Sequence, residues 1–349
     1  MKNIIFCTIV VCLLSLFQMS AFAQNFYDIH QHYIPDCYKQ ALLLHGEKGT
    51  ESDGLPTPVW SIKEQLKTMD KLGIKVAFIS LATPHPYWGD KTETIKLIRQ
   101  INEEGAKIVS ECPDRFKLFA TLPLPDIEAS IEEINYAYDK LHAVGIKLPT
   151  NAGGIYIGDE KFDEVFNELN KRKAIVVLHP VQFPNLPEST IKKYPPAIAL
   201  YLQETTYAVL NLIYSCQLEK YPDIKFIIPH GGAFLTSVSD RLEGFQPLVQ
   251  SKTNYKLDDV KKQLNRFYYD LAGFPVPNQL YGLLNITDDS HLLYGSDYPY
   301  AFPNFIQGQK EKFDKTKLLT KKQKKKVYTR VVHARFLYRE LLCYLKAYM

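Results

Sequence analysis

The segment Phe26-Tyr27-Asp28-Ile29-His30-Gln31-His32-Tyr33-Ile34-Pro35 reads as a β-strand and decides the fold. Side chains on a strand alternate between its faces, so His30 and His32 share one face. In a closed barrel that face is the interior, where two imidazoles can grip one borderline-soft cation. Alone, a His-x-His pair is more often an ordinary core or surface pair. Its weight comes from what later strands place beside it.

Downstream, strand and helix patterns alternate. The stretch from the first strand to about Pro58 holds Gly46, Gly49, Gly54, Pro56 and Pro58 and reads as a long loop. Helix Ser61–Leu72, stopped by Gly73, leads to strand Val76–Leu81. A loop rich in proline and aromatic residues, Thr83-Pro84-His85-Pro86-Tyr87-Trp88, comes next. Helix Lys91–Cys112 leads to strand Phe116–Leu122, helix Ile127–His142 to strand Gly145–Pro149, and helix Lys161–Lys171 to strand Ala174–Pro180. A long helix, Pro196–Tyr221, delivers strand Lys225–His230, and helix Leu235–Leu248 precedes strand Phe267–Leu271. A short helix near Gln279–Leu284 precedes the last strand, His291–Asp297, and a helical tail runs from Thr320 to near Leu345.

Eight strand candidates separated by helices, in 349 residues, fit a (β/α)8 TIM barrel, typically about 250 residues, with elaborated loops. The strands are near-continuous apolar runs, as a parallel sheet covered by helices requires. A doubly wound open sheet usually carries a Gly-rich phosphate loop after its first strand, and here that position holds His30-Gln31-His32. No composition break divides residues 24–349, which read as one domain.

The chain is 46% hydrophobic with a formal charge of +4, which gives no case for nucleic-acid binding. Its basic run, Lys310 to Arg330, is punctuated by Leu318, Leu319, Val327, Val331 and Val332 and reads as a solvated helix face. Lys2, the apolar run Ile4–Phe17 and the small-x-small triplet Ala21-Phe22-Ala23 mark residues 1–23 as a signal peptide for secretion or the periplasm. No later segment is long and apolar enough to span a membrane. Cys37, Cys112, Cys216 and Cys343 remain after its removal; they are widely scattered, form no Cys-x-x-Cys, and read as structural thiols whose pairing stays open.

Active sites of such barrels sit where strands end. The exits of the first, fifth, sixth and eighth strands offer His30 and His32, His179, His230, and Asp297. Three histidines and a carboxylate make a metal set with a position left open, and His230 is suited to acid–base work because the histidine pKa lies near neutrality.

These residues carry a resemblance. The chain resembles the amidohydrolase superfamily, in the branch with aminocarboxymuconate-semialdehyde, 6-methylsalicylate and γ-resorcylate decarboxylases. The matching pieces are Asp28-Ile29-His30-Gln31-His32, Gly158-Asp159 with Phe162, Ala174–Pro180, Glu204-Thr205-Thr206, Tyr221-Pro222-Asp223, Ile228–Gly232 and Tyr294–Pro299. The resemblance implies one divalent ion, zinc first and manganese second, on His30, His32, His179 and Asp297, with His230 as the catalytic histidine. Relatives of this kind are often homodimers, and the sequence leaves the oligomeric state open. Two departures leave the ligand set untouched: His230 runs directly into Gly231-Gly232 where the family often has an Ala, and His333 stands where it commonly has Asn.

The expected function is metal-dependent decarboxylation of a small aromatic or unsaturated carboxylic acid, with His230 and Asp297 as candidate acids. Hydrolysis of a lactone or amide needs the same ion and base and is the alternative. A non-catalytic exported binding protein is the third reading, and the complete ligand set argues against it. Lys147 lies on the fourth strand, where other amidohydrolases carry a metal-bridging lysine, but Leu148 or Thr150 has an equal claim to the interior. His85, Trp88 and Tyr298 are pocket candidates by position, while His45, His142, His291 and His333 read as ordinary residues.

Overall fold

The computed structural model describes residues 26–46, 57–181, 195–252 and 256–331. The expected signal peptide, Cys343, His333, most of the 181–197 loop and the end of the tail helix lie outside these residues. Eight parallel strands pair in chain order: β1 (Phe26–Tyr33), β2 (Ile74–Leu81), β3 (Phe116–Thr121), β4 (Gly145–Pro149), β5 (Ile175–His179), β6 (Lys225–Ile228), β7 (Tyr268–Asp270) and β8 (Leu292–Leu293). The ring closes through the backbone beyond β8. Ile29 N donates to Tyr294 O at 3.0 Å, and His32 N to Tyr298 O at 2.7 Å. The TIM barrel expected from the alternation is therefore present, with helices between the strands.

The helices start and stop where local chemistry says they should. Ser61 caps Ile62–Leu72 by accepting the Glu64 N–H, and Gly73, at φ 76°, ends it in the left-handed region that glycine enters without strain. Asp90 and Asp126 cap Lys91–Glu111 and Ile127–Asp139 in the same way. Their apolar faces meet the outward residues of the strands. Leu97, Ile101, Ile134, Val209 and Leu212 join Leu118, Ile146, Leu148, Val176 and Leu178 in one core.

A second, separate cluster fills the barrel: Ile29, Val76, Phe78, Phe119, Ile175, Val177, Ile227 and Leu293. These are the alternate, inward positions of their strands. The same inward face carries buried Ser80, Thr121, Lys147 and His179.

β1 departs from plain alternation. Its register with β2 runs Asp28↔Ala77 and then Gln31↔Ile79, three steps against two. This bulge puts Ile29 into the interior cluster and still aims both His30 and His32 inward.

Several expected boundaries shift. The stretch read as loop to Pro58 contains helix Asp36–Leu44, whose Tyr38, Ala41 and Leu42 are buried. The helix expected over Pro196–Tyr221 breaks at Cys216, which adopts φ 56°, giving Leu200–Tyr214 and Gln217–Lys220. The basic run forms two helices, Pro303–Lys315 and Lys321–Thr329, with Leu319, Val327 and Tyr328 turned into the core. Cys37 and Cys112 are half-buried, Cys216 is buried, and all three are free thiols. Among the described residues no helix is long and apolar enough to cross a membrane.

Candidate metal centre

His30, His32, His179 and Asp297 meet at one mouth of the barrel. Each offers one ligand atom, and these atoms lie within 4.8 Å of one another. The three imidazoles are almost wholly buried, while Asp297 keeps partial access to solvent. Asp297 reaches the mouth because the chain after β8 turns sharply, with Asp297 at φ 65°, and is laced to β1 by Asp297 N donating to His30 O at 2.8 Å. Gly295 permits the approach: a Cβ there would stand 2.9 Å from His30 Cβ.

The hydrogen bonds orient the ring nitrogens. Asp270 Oδ2 accepts from His30 Nδ1 at 2.8 Å, and Pro180 O accepts from His179 Nδ1 at 2.9 Å. Neither acceptor can donate, so both rings carry hydrogen on Nδ1 and turn Nε2 inward. His30 Nε2 faces His32 Nε2 at 3.2 Å, and Asp297 Oδ1 lies 3.4 and 3.2 Å from these two atoms. Ring nitrogens and a carboxylate oxygen crowded this closely repel unless a proton or a metal cation stands among them, and a metal ion can take the place of the shared proton. The residues present therefore fit a divalent ion.

Electrostatics agree with that crowding. Burial pulls the His30 pKa down, but the charges of Asp270 and Asp297 outweigh it and lift it to about 9. Burial and the charge of His30 hold His32 below its ordinary value, and burial with the charges of His32 and Lys147 holds His179 well below. Burial would raise Asp297, yet the neighbouring His230, His32 and His30 hold it well below the usual carboxylate range.

His230 stands beside this set. Its ring centroid is 5.1 Å from that of His30 and 6.0 Å from that of His179, and its Nε2 is 3.6 Å from Asp297 Oδ2. Its Nδ1 is buried and makes no hydrogen bond among the described residues. His230 opens the turn after β6 at φ 56°, followed by Gly231 at φ 64°, where a Cβ would meet Pro275 Cβ at 2.7 Å. Gln279 pins the turn by donating to the carbonyls of His230 and Ala233, both at 3.1 Å. All five residues that the sequence singled out thus converge.

Two carboxylates were missed by sequence reasoning. Asp270 ends β7, and Asp28 lies in β1. Buried Asp28 accepts the N–H groups of His30 at 3.2 Å and Ser296 at 3.0 Å, and Gln31 Nε2 at 2.7 Å. Burial raises its pKa to about 6 despite these bonds. Behind it Gln65 donates to Gln31 and Trp60 donates to Gln65, each at 2.7 Å.

The remaining candidates separate. Lys147 pairs in register with inward Val177 and is fully buried, so the interior position on β4 is the lysine, while Leu148 joins the outer core. His85 is buried and its Nε2 donates to Leu124 O at 2.9 Å. Tyr298 belongs to the strand–helix core, and half-buried Trp88 packs on that core with its ring stacked on His45 at 4.2 Å.

A parallel barrel with three imidazoles and a carboxylate at its strand ends defines a class built to hold a metal ion at one mouth. The chain belongs to the amidohydrolase family, whose model matches residues 27–330. It is 35% identical over 292 residues to the decarboxylase yanB of Aspergillus niger, covering 78% of this chain and 77% of that protein. It is 29% identical to the 6-methylsalicylic acid decarboxylase of Penicillium expansum, covering 80% and 89%. Among solved structures, an amidohydrolase II superposes with a TM-score of 0.82 at 35% identity, covering 87% of this chain and 97% of the other. A dihydroxybenzoic acid decarboxylase from Polaromonas, with bound manganese and an inhibitor, shares the fold at a TM-score of 0.72 and 20% identity, covering 87% and 94%.

Proposed function

We propose that the protein is a non-oxidative decarboxylase of a small aromatic or unsaturated carboxylic acid. In this reading one divalent ion, zinc or manganese, is held by His30, His32, His179 and Asp297. The observation that carries the reading is the set of three imidazole nitrogens and a carboxylate oxygen packed within 4.8 Å, beside a histidine with an uncommitted nitrogen. The decarboxylases aligned along most of the chain support the choice of reaction. When bound, the ion supplies Lewis-acid polarisation of a substrate oxygen and a template for its orientation.

The chain's own residues manage the proton. Loss of CO2 breaks a carbon–carbon bond and leaves its electron pair on the ring carbon, so a proton has to be delivered to that carbon. His230 is the acid on this reading, and its Nε2 lies 3.6 Å from Asp297 Oδ2, which holds the ring at the edge of the ligand set. The apolar cluster beneath the mouth keeps water from entering between the strands. The leader read in residues 1–23 puts this activity, on the same proposal, in an exported compartment.

The test is a screen of hydroxybenzoates, 6-methylsalicylate among them, with purified ion-loaded protein, scoring CO2 release. His230→Asn is expected to lower kcat by about 10²–10⁴-fold while ion content stays unchanged. Wild-type turnover in that variant overturns the assignment of the acid. A new carboxylate from a lactone or amide, without CO2, replaces decarboxylation by hydrolysis.

A further inference from the structure

Asp270 is fully buried at the end of β7, and its two oxygens do different things. Oδ2 faces His30 Nδ1 at 2.8 Å, while Oδ1 accepts the backbone N–H groups of His230 at 3.0 Å and Ala272 at 3.1 Å. We infer that Asp270 is a positioning residue that fixes which nitrogen of His30 faces the ion and, with its other oxygen, the backbone that aims His230. The inference rests on the roles proposed above for His30 and His230.

The packing leaves little freedom. A Cβ on Gly295 would lie 2.9 Å from His30 Cβ and 3.2 Å from Asp270 Cβ, so these three positions touch. A Cβ on Gly273 would lie 3.3 Å from His230 Cδ2, so that ring is also walled in. His230 holds φ 56°, a conformation L residues rarely adopt, and its N–H is tied to Asp270 Oδ1. One carboxylate therefore links a proposed ligand and the proposed acid, which come from strands far apart in sequence.

The chemistry of the substitution Asp270→Asn separates this role from plain structural support. Asn has one acceptor oxygen. If that oxygen keeps the two backbone N–H groups, the amide NH2 points at His30 Nδ1 and requires a lone pair there. The ring hydrogen then moves to Nε2, where it blocks ligation. The opposite amide orientation sets NH2 against two backbone donors and is the worse arrangement. Asp270→Ala removes the acceptor but leaves His30 free to choose its tautomer.

Two measurements decide. In Mn²⁺ titrations of wild type and both variants, Asp270→Asn is expected to bind about 10–100-fold more weakly than wild type and more weakly than Asp270→Ala. In thermal melts of the metal-free proteins, Asp270→Asn is expected to be the more stable variant. A purely structural carboxylate gives the isosteric Asn the milder phenotype in both, and that ranking overturns the inference. Imidazole ¹⁵N NMR of the metal-free proteins, recorded at a pH high enough for the His30 ring to be neutral, reads the tautomer directly. Hydrogen on His30 Nδ1 in wild type and on Nε2 in Asp270→Asn is the expected result, and Nδ1–H in both overturns it. Wild type that takes up no Mn²⁺ overturns the proposed function instead, and the NMR comparison still judges Asp270.

Discussion

Val177 and His179 stand two residues apart on the same face of β5, yet they belong to different chemical environments. Below, side chains from six strands close the barrel with an apolar layer in which Phe78 and Phe119 stack at 5.6 Å. Above, the same faces present imidazoles and a carboxylate whose polar atoms crowd one another. The lower layer has every reason to be tightly packed and none to be polar. The upper one is poorly satisfied by protein alone and draws its sense from a ligand. The comparison teaches that the plug supplies rigidity while the mouth supplies unsatisfied chemistry, and that two residues of strand suffice to change from one to the other.

Breaking the mouth is expected to have the largest effect on function and little on folding. His32→Ala removes one of the facing ring nitrogens, and ion affinity falls by more than the roughly 10–100-fold lost with an outer partner of a ligand. Its metal-free melting temperature stays close to that of wild type. A variant that binds Mn²⁺ normally breaks the division between the layers.

Breaking the plug reverses the pattern. Phe119→Ala is expected to cost about 3–5 kcal/mol of stability by chemical denaturation, since the ring is buried and its removal leaves a cavity. While the protein stays folded, its ion affinity changes less than tenfold. Loss of ion binding in a folded variant would show that plug and mouth are one unit.

A smaller, pH-dependent effect sharpens the boundary. Burial and the charge of Lys147 push His85 down to about 3, against its bond to Leu124 O. His85 is thus neutral in the folded state, whereas in the unfolded chain it gains a proton below pH about 6.5. This one group lowers stability as pH drops from about 6.5 towards 3, by up to about 1.4 kcal/mol per pH unit, and its penalty stops growing below the folded value. His85→Gln is expected to flatten that part of the stability–pH profile relative to wild type, as followed by urea unfolding from pH 7 to 4. An unchanged slope removes His85 from the acid response.

The barrel and the five converging residues were legible because each rests on a local regularity: an apolar run of strand length, ended by a histidine or aspartate. Other features have no local sign. Asp270 in Tyr268-Tyr269-Asp270-Leu271 looks like any acidic strand end, and its partner His30 is 240 residues away. Asp28 could be noticed in sequence, but only the fold brings Ser296 to it. Helix Asp36–Leu44 is short, and its apolar face was hidden by the glycines and prolines that follow. The eighth strand was read as His291–Asp297, whereas only Leu292–Leu293 pair with β7 and the remainder bonds to β1. Lys147 was ambiguous because period two cannot say which parity faces inward until a neighbouring strand fixes the register.

The bulge in β1 has a consequence for how this strand can change over time. Ile29, His30 and His32 serve the interior together only because the chain carries one residue more than its neighbour between Asp28 and Gln31. Deleting a residue there would restore strict alternation and force a choice between floor and ligands. The strand can accept new side chains one at a time, but its length between these points is fixed, and lineages that keep the chemistry must keep the count.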